Sequence, residues 1–383
     1  MKIARMPGLD ALRGCMLVLM TITHLPLPLN EYLAQPLGFV SAAEGFVFLS
    51  AYLAGLIYVQ RAESLGLASM RHALWRRALK LYGCQVALLL FAFTTAAVMQ
   101  ALDHQQAIRG LLEFYFQYPW TAMWNGLVLL YNPPLLDILP MYILFMTLTP
   151  LVLTWALRRG WTEPLTLSVA LWLFAQFGLR QLAYQPLLDW TGAKIPLEAT
   201  GSFDMFAWQL MWMLGLSLGA MRATAGRSPA VPRGLVIVAL GIALPLIAWR
   251  HLIGQSPFGS DLALNALFDK WHLGPLRVID FGALLVLGLH YGPRWQGWIR
   301  TRFLTRLGAA SLPVYCFHIV TCILMLCMVE DYGHRLSALQ QGGLLAASLL
   351  LLYGIAVIAL RPARAPAVLP APRVRSEARS QRT

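Results

Sequence analysis

Acidic residues are scarce in this chain. Only 17 of its 383 residues are Asp or Glu, against 30 Lys or Arg, and charged residues make up 12% of the total. Soluble domains carry about 25% charged residues, so a string of soluble domains is excluded. Cysteine is also sparse. Cys15, Cys84, Cys316, Cys322 and Cys327 all fall in apolar stretches, with no CxxC and no metal-ligand spacing. Nothing in that pattern points to zinc or redox chemistry, and no metal is expected. There is no Walker loop and no glycine-rich dinucleotide fingerprint, which argues against an ATP-driven mechanism. No small-x-small cleavage site follows the first apolar run, so that run reads as a retained span and not as a signal peptide.

What the chain has instead is apolar length, with 58% of its residues hydrophobic. Hydropathy predicts an all-α, polytopic membrane protein of about ten transmembrane helices. They fall near residues 11–29, 38–59, 73–99, 134–157, 162–179, 204–221, 232–250, 273–291, 306–328 and 343–361. The aromatic segment 114–131, broken by Pro119, reads as re-entrant or interfacial. Basic residues gather on alternate connections: Arg71, Arg76, Arg77 and Lys80, then Arg158 and Arg159, Arg222 and Arg233, and Arg294, Arg300 and Arg302. By the positive-inside rule both termini are cytoplasmic. Residues 1–361 then form one transmembrane domain. Residues 362–383, rich in Pro, Ala and Arg, form a basic disordered cytoplasmic tail. The net charge of +13 is explained by membrane orientation, and nucleic acid is not an expected partner.

Polar groups inside the apolar runs carry the functional signal, because an intramembrane charge is costly and normally faces a bundle interior or wet cavity. Arg13 and His24 share the first run. Eleven helical steps advance about 1100°, close to three full turns, so the two share one face roughly 16 Å apart along the axis. A cation low and an imidazole high suit something long and thin held across a bilayer. Glu44, at the outer start of the next helix, falls at the depth of His24 and is the expected carboxylate partner that makes the imidazole a general base. Glu44 also fits a plain helix-start cap. Asp137, Asp204, Trp208 and Arg277 open later helices on the outer side, with Tyr142 one turn in. Arg277 and Asp280, three apart, could equally neutralise each other. His318 reads more readily as a core histidine than as a catalyst. Arg76, Arg77 and Lys80 cover about one helical turn at the cytoplasmic side and suit phosphates, though ordinary positive-inside charge explains them too.

The phrases GLDALRGCMLVLMTITH, SAAEGFVFLSAY, LDILPMYILFM, FAWQLMWMLGL and DKWHLGPLRVIDF occur in this order and together resemble the OpgC-type family of transmembrane acyltransferases. Departures from the family pattern stand at Ala51, in place of glycine, and at Gln85, in place of histidine. The resemblance implies a multi-pass enzyme of the bacterial inner membrane. Such an enzyme takes an acyl group from cytoplasmic acyl-coenzyme A, succinyl-coenzyme A for the OpgC type. It passes that group to a hydroxyl of a periplasmic glucan. It further implies that His24 is catalytic, with Glu44 beside it, and that Arg13 helps hold the donor. The same residues leave open a covalent acyl-histidine or direct transfer, and an oxyanion donor among Tyr142, Ser50 and backbone N–H groups. A transporter or flippase of a glycolipid or small anion is the alternative use for such a polar cavity.

Overall fold

The computed structural model describes residues 6–25, 27, 30–101, 106–226, 230–328 and 337–361. The basic tail expected at 362–383 lies outside the described residues. Every named element among those described is helical. The long helices are α1 (Pro7–His24), α2 (Ala42–Ala101), α3 (Ile138–Arg159), α4 (Thr162–Ala175), α5 (Leu179–Thr191) and α6 (Met205–Ala225). They continue with α7 (Arg233–Ile253), α8 (Pro275–Ile299), α9 (Arg302–Ala309), α10 (Ser311–Met328) and α11 (Ala338–Ala359).

Four of these are long and apolar enough to cross a membrane, namely α2 over Ala42–Met99, α3, α7 and α11. The bent pairs α4/α5 (89°) and α9/α10 (92°) bring the number to six if each pair is one span. This is a multi-pass membrane architecture. The runs expected as single spans at 162–179 and 306–328 are thus each broken. Gly178, in the left-handed region, separates the first pair. The segment 114–131 forms two short helices, Glu113–Gln117 and Pro119–Leu127, each too short to span.

α2 holds 60 residues. At 1.5 Å per residue a straight helix of that length would reach about 90 Å, roughly three bilayer cores. It breaks at Gly66, where φ is 84° and ψ is 163°, a conformation that glycine alone adopts without penalty. Arg61 Nε donates to the Ser69 carbonyl at 3.2 Å across the break. Ser50 on the first arm and Arg77 on the second then line one internal cavity. The two arms match the separate helices expected at 38–59 and 73–99.

Close helix crossings rest on small residues. Gly215 and Gly219 of α6 press against the Phe48 and Tyr52 carbonyls of α2, and Gly55 of α2 presses against the Leu216 carbonyl of α6. A Cβ at any of the three would collide with backbone. The spacing is G-x-x-x-G, which lets membrane helices approach closely. Gly14 of α1 and Gly308 of α9 meet the facing backbone in the same way. α1 buries Ala11, Gly14, Leu17, Met20 and Thr21, a three-and-four spacing that fixes which way its other faces point. That rotation places Arg13 and His24 toward the interior.

Candidate active site

Two cavities lie one beyond the other inside the bundle. The outer one, about 210 Å³, is lined by His24, Asp137, Ser202, Phe203, Lys270 and Trp271 among others. The inner one, about 30 Å³, is lined by Arg13, Ser50, Arg77, Tyr142 and Ser311 among others. Ile138 and Tyr315 line both. His24 thus borders the outer cavity and Arg13 the inner one, and the two cavities share wall residues.

His24 ends α1, and its Nδ1 lies 3.0 Å from Nε2 of His318 on α10. The rings stack with centroids 5.1 Å apart. His318 is fully buried. The expected His24–Glu44 pair is corrected here: the partner of His24 is His318. Glu44 is fully buried and its two oxygens are already engaged. Oε1 takes Arg277 Nε at 2.5 Å, and Oε2 accepts from the Ser41 backbone N–H at 3.0 Å and the Ser41 hydroxyl at 2.5 Å. Ser41 and Glu44 form a reciprocal helix-start box, the S-x-x-E arrangement, with the Ala43 N–H donating to Ser41 Oγ at 3.3 Å. A buried guanidinium outcompetes a neutral imidazole for a carboxylate, because each ion needs the other to offset its desolvation. Arg277 NH1 also donates to the Phe268 carbonyl at 3.0 Å. Asp280 accepts from the Phe39 N–H at 2.7 Å, so its carboxylate clamps the loop before α2.

The other expected site residues divide between surface and support. Asp137 lines the outer cavity and accepts from the Ser202 N–H at 3.1 Å. Tyr142 lines the inner cavity together with Arg77. Arg13 NH2 donates to Ser311 Oγ at 2.5 Å, and its guanidinium lies 5.7 Å from the Phe46 ring centre. Asp204, Trp208 and Arg277 stand behind the cavity wall. Asp204 caps α6 through the Phe206 and Ala207 N–H groups. The Trp208 indole donates to the Lys270 and Trp271 carbonyls at 3.1 Å each, pinning that loop. Of the basic turn on α2, Arg77 alone reaches the cavity; Arg76 and Lys80 are exposed on the outside of the helix. The helical rotation between neighbouring positions, about 100°, separates them.

Lys270 is a cavity residue that the sequence alone did not single out. It lines the outer cavity, with its ammonium 4.8 Å from the Trp271 ring centre and 5.8 Å from that of Phe203. Burial pushes its pKa below the ordinary lysine value, against the upward pull of Glu44. Next to it, His272 Nδ1 meets Asp269 Oδ2 at 2.6 Å. Hydrogen bonding to Asp269 raises the His272 pKa. Burial pushes the Asp269 carboxyl up, and the His272 hydrogen bonds outweigh it, so it titrates low. A histidine raised in the folded state stabilises fully below its unfolded value, near 6.5, and loses that stabilisation as pH rises through the raised value. Protection factors at residues 270–274, with the intrinsic base catalysis of exchange divided out, are accordingly expected to fall on the alkaline side of neutrality, and that fall should be absent in His272→Gln. Protection unchanged across that range in the native chain would contradict this.

Among the described residues, His24, His318 and Cys322 bring three potential ligand atoms within 4.8 Å of one another, so a metal ion, were one held, would compete with the histidine pair.

Fold and site together define an all-helical membrane protein with two adjoining internal cavities, a stacked histidine pair and cations at both levels. The family model described as OpgC protein matches residues 5–363, nearly the whole chain, and the chain belongs to that family. At family level this is the OpgC-type, glucan-modifying acyltransferase class. No curated protein and no solved structure matches the chain.

Proposed function

We propose that this protein transfers an acyl group, succinyl or a close relative, from cytoplasmic acyl-coenzyme A to a hydroxyl of a periplasmic glucan. In this reading the chain crosses the bacterial inner membrane ten times, with each arm of α2 a span and both termini in the cytoplasm. The single observation that carries it is the pair of stacked cavities, with Arg13 and Arg77 on the inner one and His24 on the outer. The donor's pantetheine arm passes Arg77 and Arg13, and its thioester meets the acceptor beside His24. Lys270 gives the outer cavity a cation suited to the free carboxylate of a dicarboxylic acyl group. Phe203 and Trp271 offer aromatic faces to a sugar ring, and Asp137 offers a carboxylate to its hydroxyls.

His24 acts as the general base. When its Nδ1–H donates to His318 Nε2, its own Nε2 keeps a lone pair. The glucan hydroxyl gives its proton to that nitrogen as its oxygen bonds to the acyl carbon. The C–S bond then breaks, and the leaving thiolate takes the proton to become free coenzyme A thiol. His318 is a positioning residue here: it sets the tautomer and ring orientation. A neutral imidazole stabilises the developing imidazolium less than a carboxylate does, so His24 in this pair is a milder base than in a His–Glu dyad.

His318→Ala is expected to lower kcat by about 10²-fold, toward the lower end of what a positioned base contributes. It should also shift the acid limb of the pH profile while leaving the KM for donor near its native value. A merely structural role would leave the profile in place. The reading as a whole is tested with purified protein, succinyl-coenzyme A and oligoglucan, following both free thiol and acylated glucan. Stoichiometric appearance of the two is the expected result; specific donor binding without either product would favour a transporter.

A further inference from the structure

Tyr315 is buried to 3% exposure and belongs to the common wall of the two cavities. Its ring stacks on Phe46, with centroids 6.0 Å apart, and tilts against His318 at 5.8 Å. Phe46 in turn underlies the Arg13 guanidinium. Tyr315 is therefore one ring from the histidine pair and one ring from the inner-cavity cation. Among the described residues its hydroxyl has no hydrogen-bond partner. A buried hydroxyl left so costs about 1–3 kcal/mol. Such groups persist where a ligand completes them. Two more buried polar atoms without partners, Arg13 Nε and Ser50 Oγ, belong to residues lining the inner cavity. Of these three, Tyr315 is the one that also borders the chamber of His24.

We infer that the Tyr315 hydroxyl is a catalytic hydrogen-bond donor to the carbonyl oxygen of the acyl thioester, positioned where donor and acceptor meet. This rests on the proposed acyl transfer. As the acceptor oxygen attacks the acyl carbon, the carbonyl π electrons move onto the carbonyl oxygen, and the Tyr315 O–H donates to the resulting oxyanion without giving up its proton. When the intermediate collapses, the electrons return, the C–S bond breaks and the hydrogen bond relaxes. A donor aimed at the oxyanion in a dry site is worth about 10²–10³ in kcat. Neither Tyr142 nor Ser50, which line the inner cavity and not the outer one, meets both conditions.

The test is Tyr315→Phe, which keeps the ring and its stacking and removes one oxygen. Transfer from succinyl-coenzyme A to oligoglucan by purified variant and native protein is compared, with thermal melting as a folding check. The expected result is a kcat about 10²–10³-fold lower, an unchanged donor KM and an unchanged melting temperature. Native kcat in Tyr315→Phe overturns the inference. A melting temperature lowered in step with activity also overturns it, because the hydroxyl would then serve packing. His24→Ala is assayed alongside. If it is inactive while Tyr315→Phe is fully active, the hydroxyl assignment alone fails; if both are fully active, the acyl-transfer mechanism fails with it.

Discussion

His24→Ala is expected to leave a folded membrane protein whose acyl transfer rate has fallen by about 10²–10⁴-fold, the range a positioned general base supplies. His24 lines the outer cavity as the last residue of α1, so truncating it removes the base without opening the helix packing below. The Ala11–Gly14–Leu17–Met20–Thr21 face that seats α1 is untouched. Donor binding, governed by Arg13 and Arg77 on the inner cavity, should persist. Equilibrium binding of acyl-coenzyme A and steady-state transfer, measured on one preparation, separate the two. Loss of binding together with activity would point to misfolding instead of lost base catalysis.

Arg277→Met should be the most destabilising single change in the core. Arg277 and Glu44 are 1% and 0% exposed and pair directly at 2.5 Å, with Lys270 adding a weaker attraction on Glu44. Removing one member of such a buried pair costs about 3–5 kcal/mol, because the other charge is left without compensation. The pair also ties the start of α8 to the start of α2, through Ser41, and to the Phe268 carbonyl. Thermal or denaturant unfolding in detergent should therefore show a large loss for Arg277→Met. The double variant Glu44→Gln/Arg277→Met should recover much of it, since no lone charge remains. Equal stability of the native and Arg277→Met proteins would mean that Glu44 has another counter-ion.

Much of this arrangement was legible in the chain itself. Arg13 and His24 draw notice because charge and imidazole are expensive at that depth, and each borders a cavity, Arg13 the inner and His24 the outer. Glu44 as a helix-start cap is a local reading with a local consequence, and it appears as capping at Ser41–Glu44. Pairings between distant elements were not legible. Glu44 and His24 match in depth, but depth leaves rotation about the helix axis free, and rotation decides whether Glu44 meets His24 or Arg277, which is 233 positions away. His318 lies 294 positions from His24, and a lone histidine in an apolar run carries no sign of its partner. Lys270 sits in a loop whose inward fold depends on the Trp208 indole holding two of its carbonyls. Arg76 and Arg77 are adjacent in sequence and differ only in which way about 100° of helix turns them.

The central claim is that acyl donor and glucan meet from opposite sides of the membrane through the Arg13–His24 path. Reconstitution in sealed, oriented vesicles tests it most directly, with radiolabelled succinyl-coenzyme A supplied only on the side where α1 begins and oligoglucan only on the other. Label should appear on the glucan in the opposite compartment while the coenzyme A thiol accumulates where the donor was added. Labelling only when donor and glucan share a compartment would contradict the account.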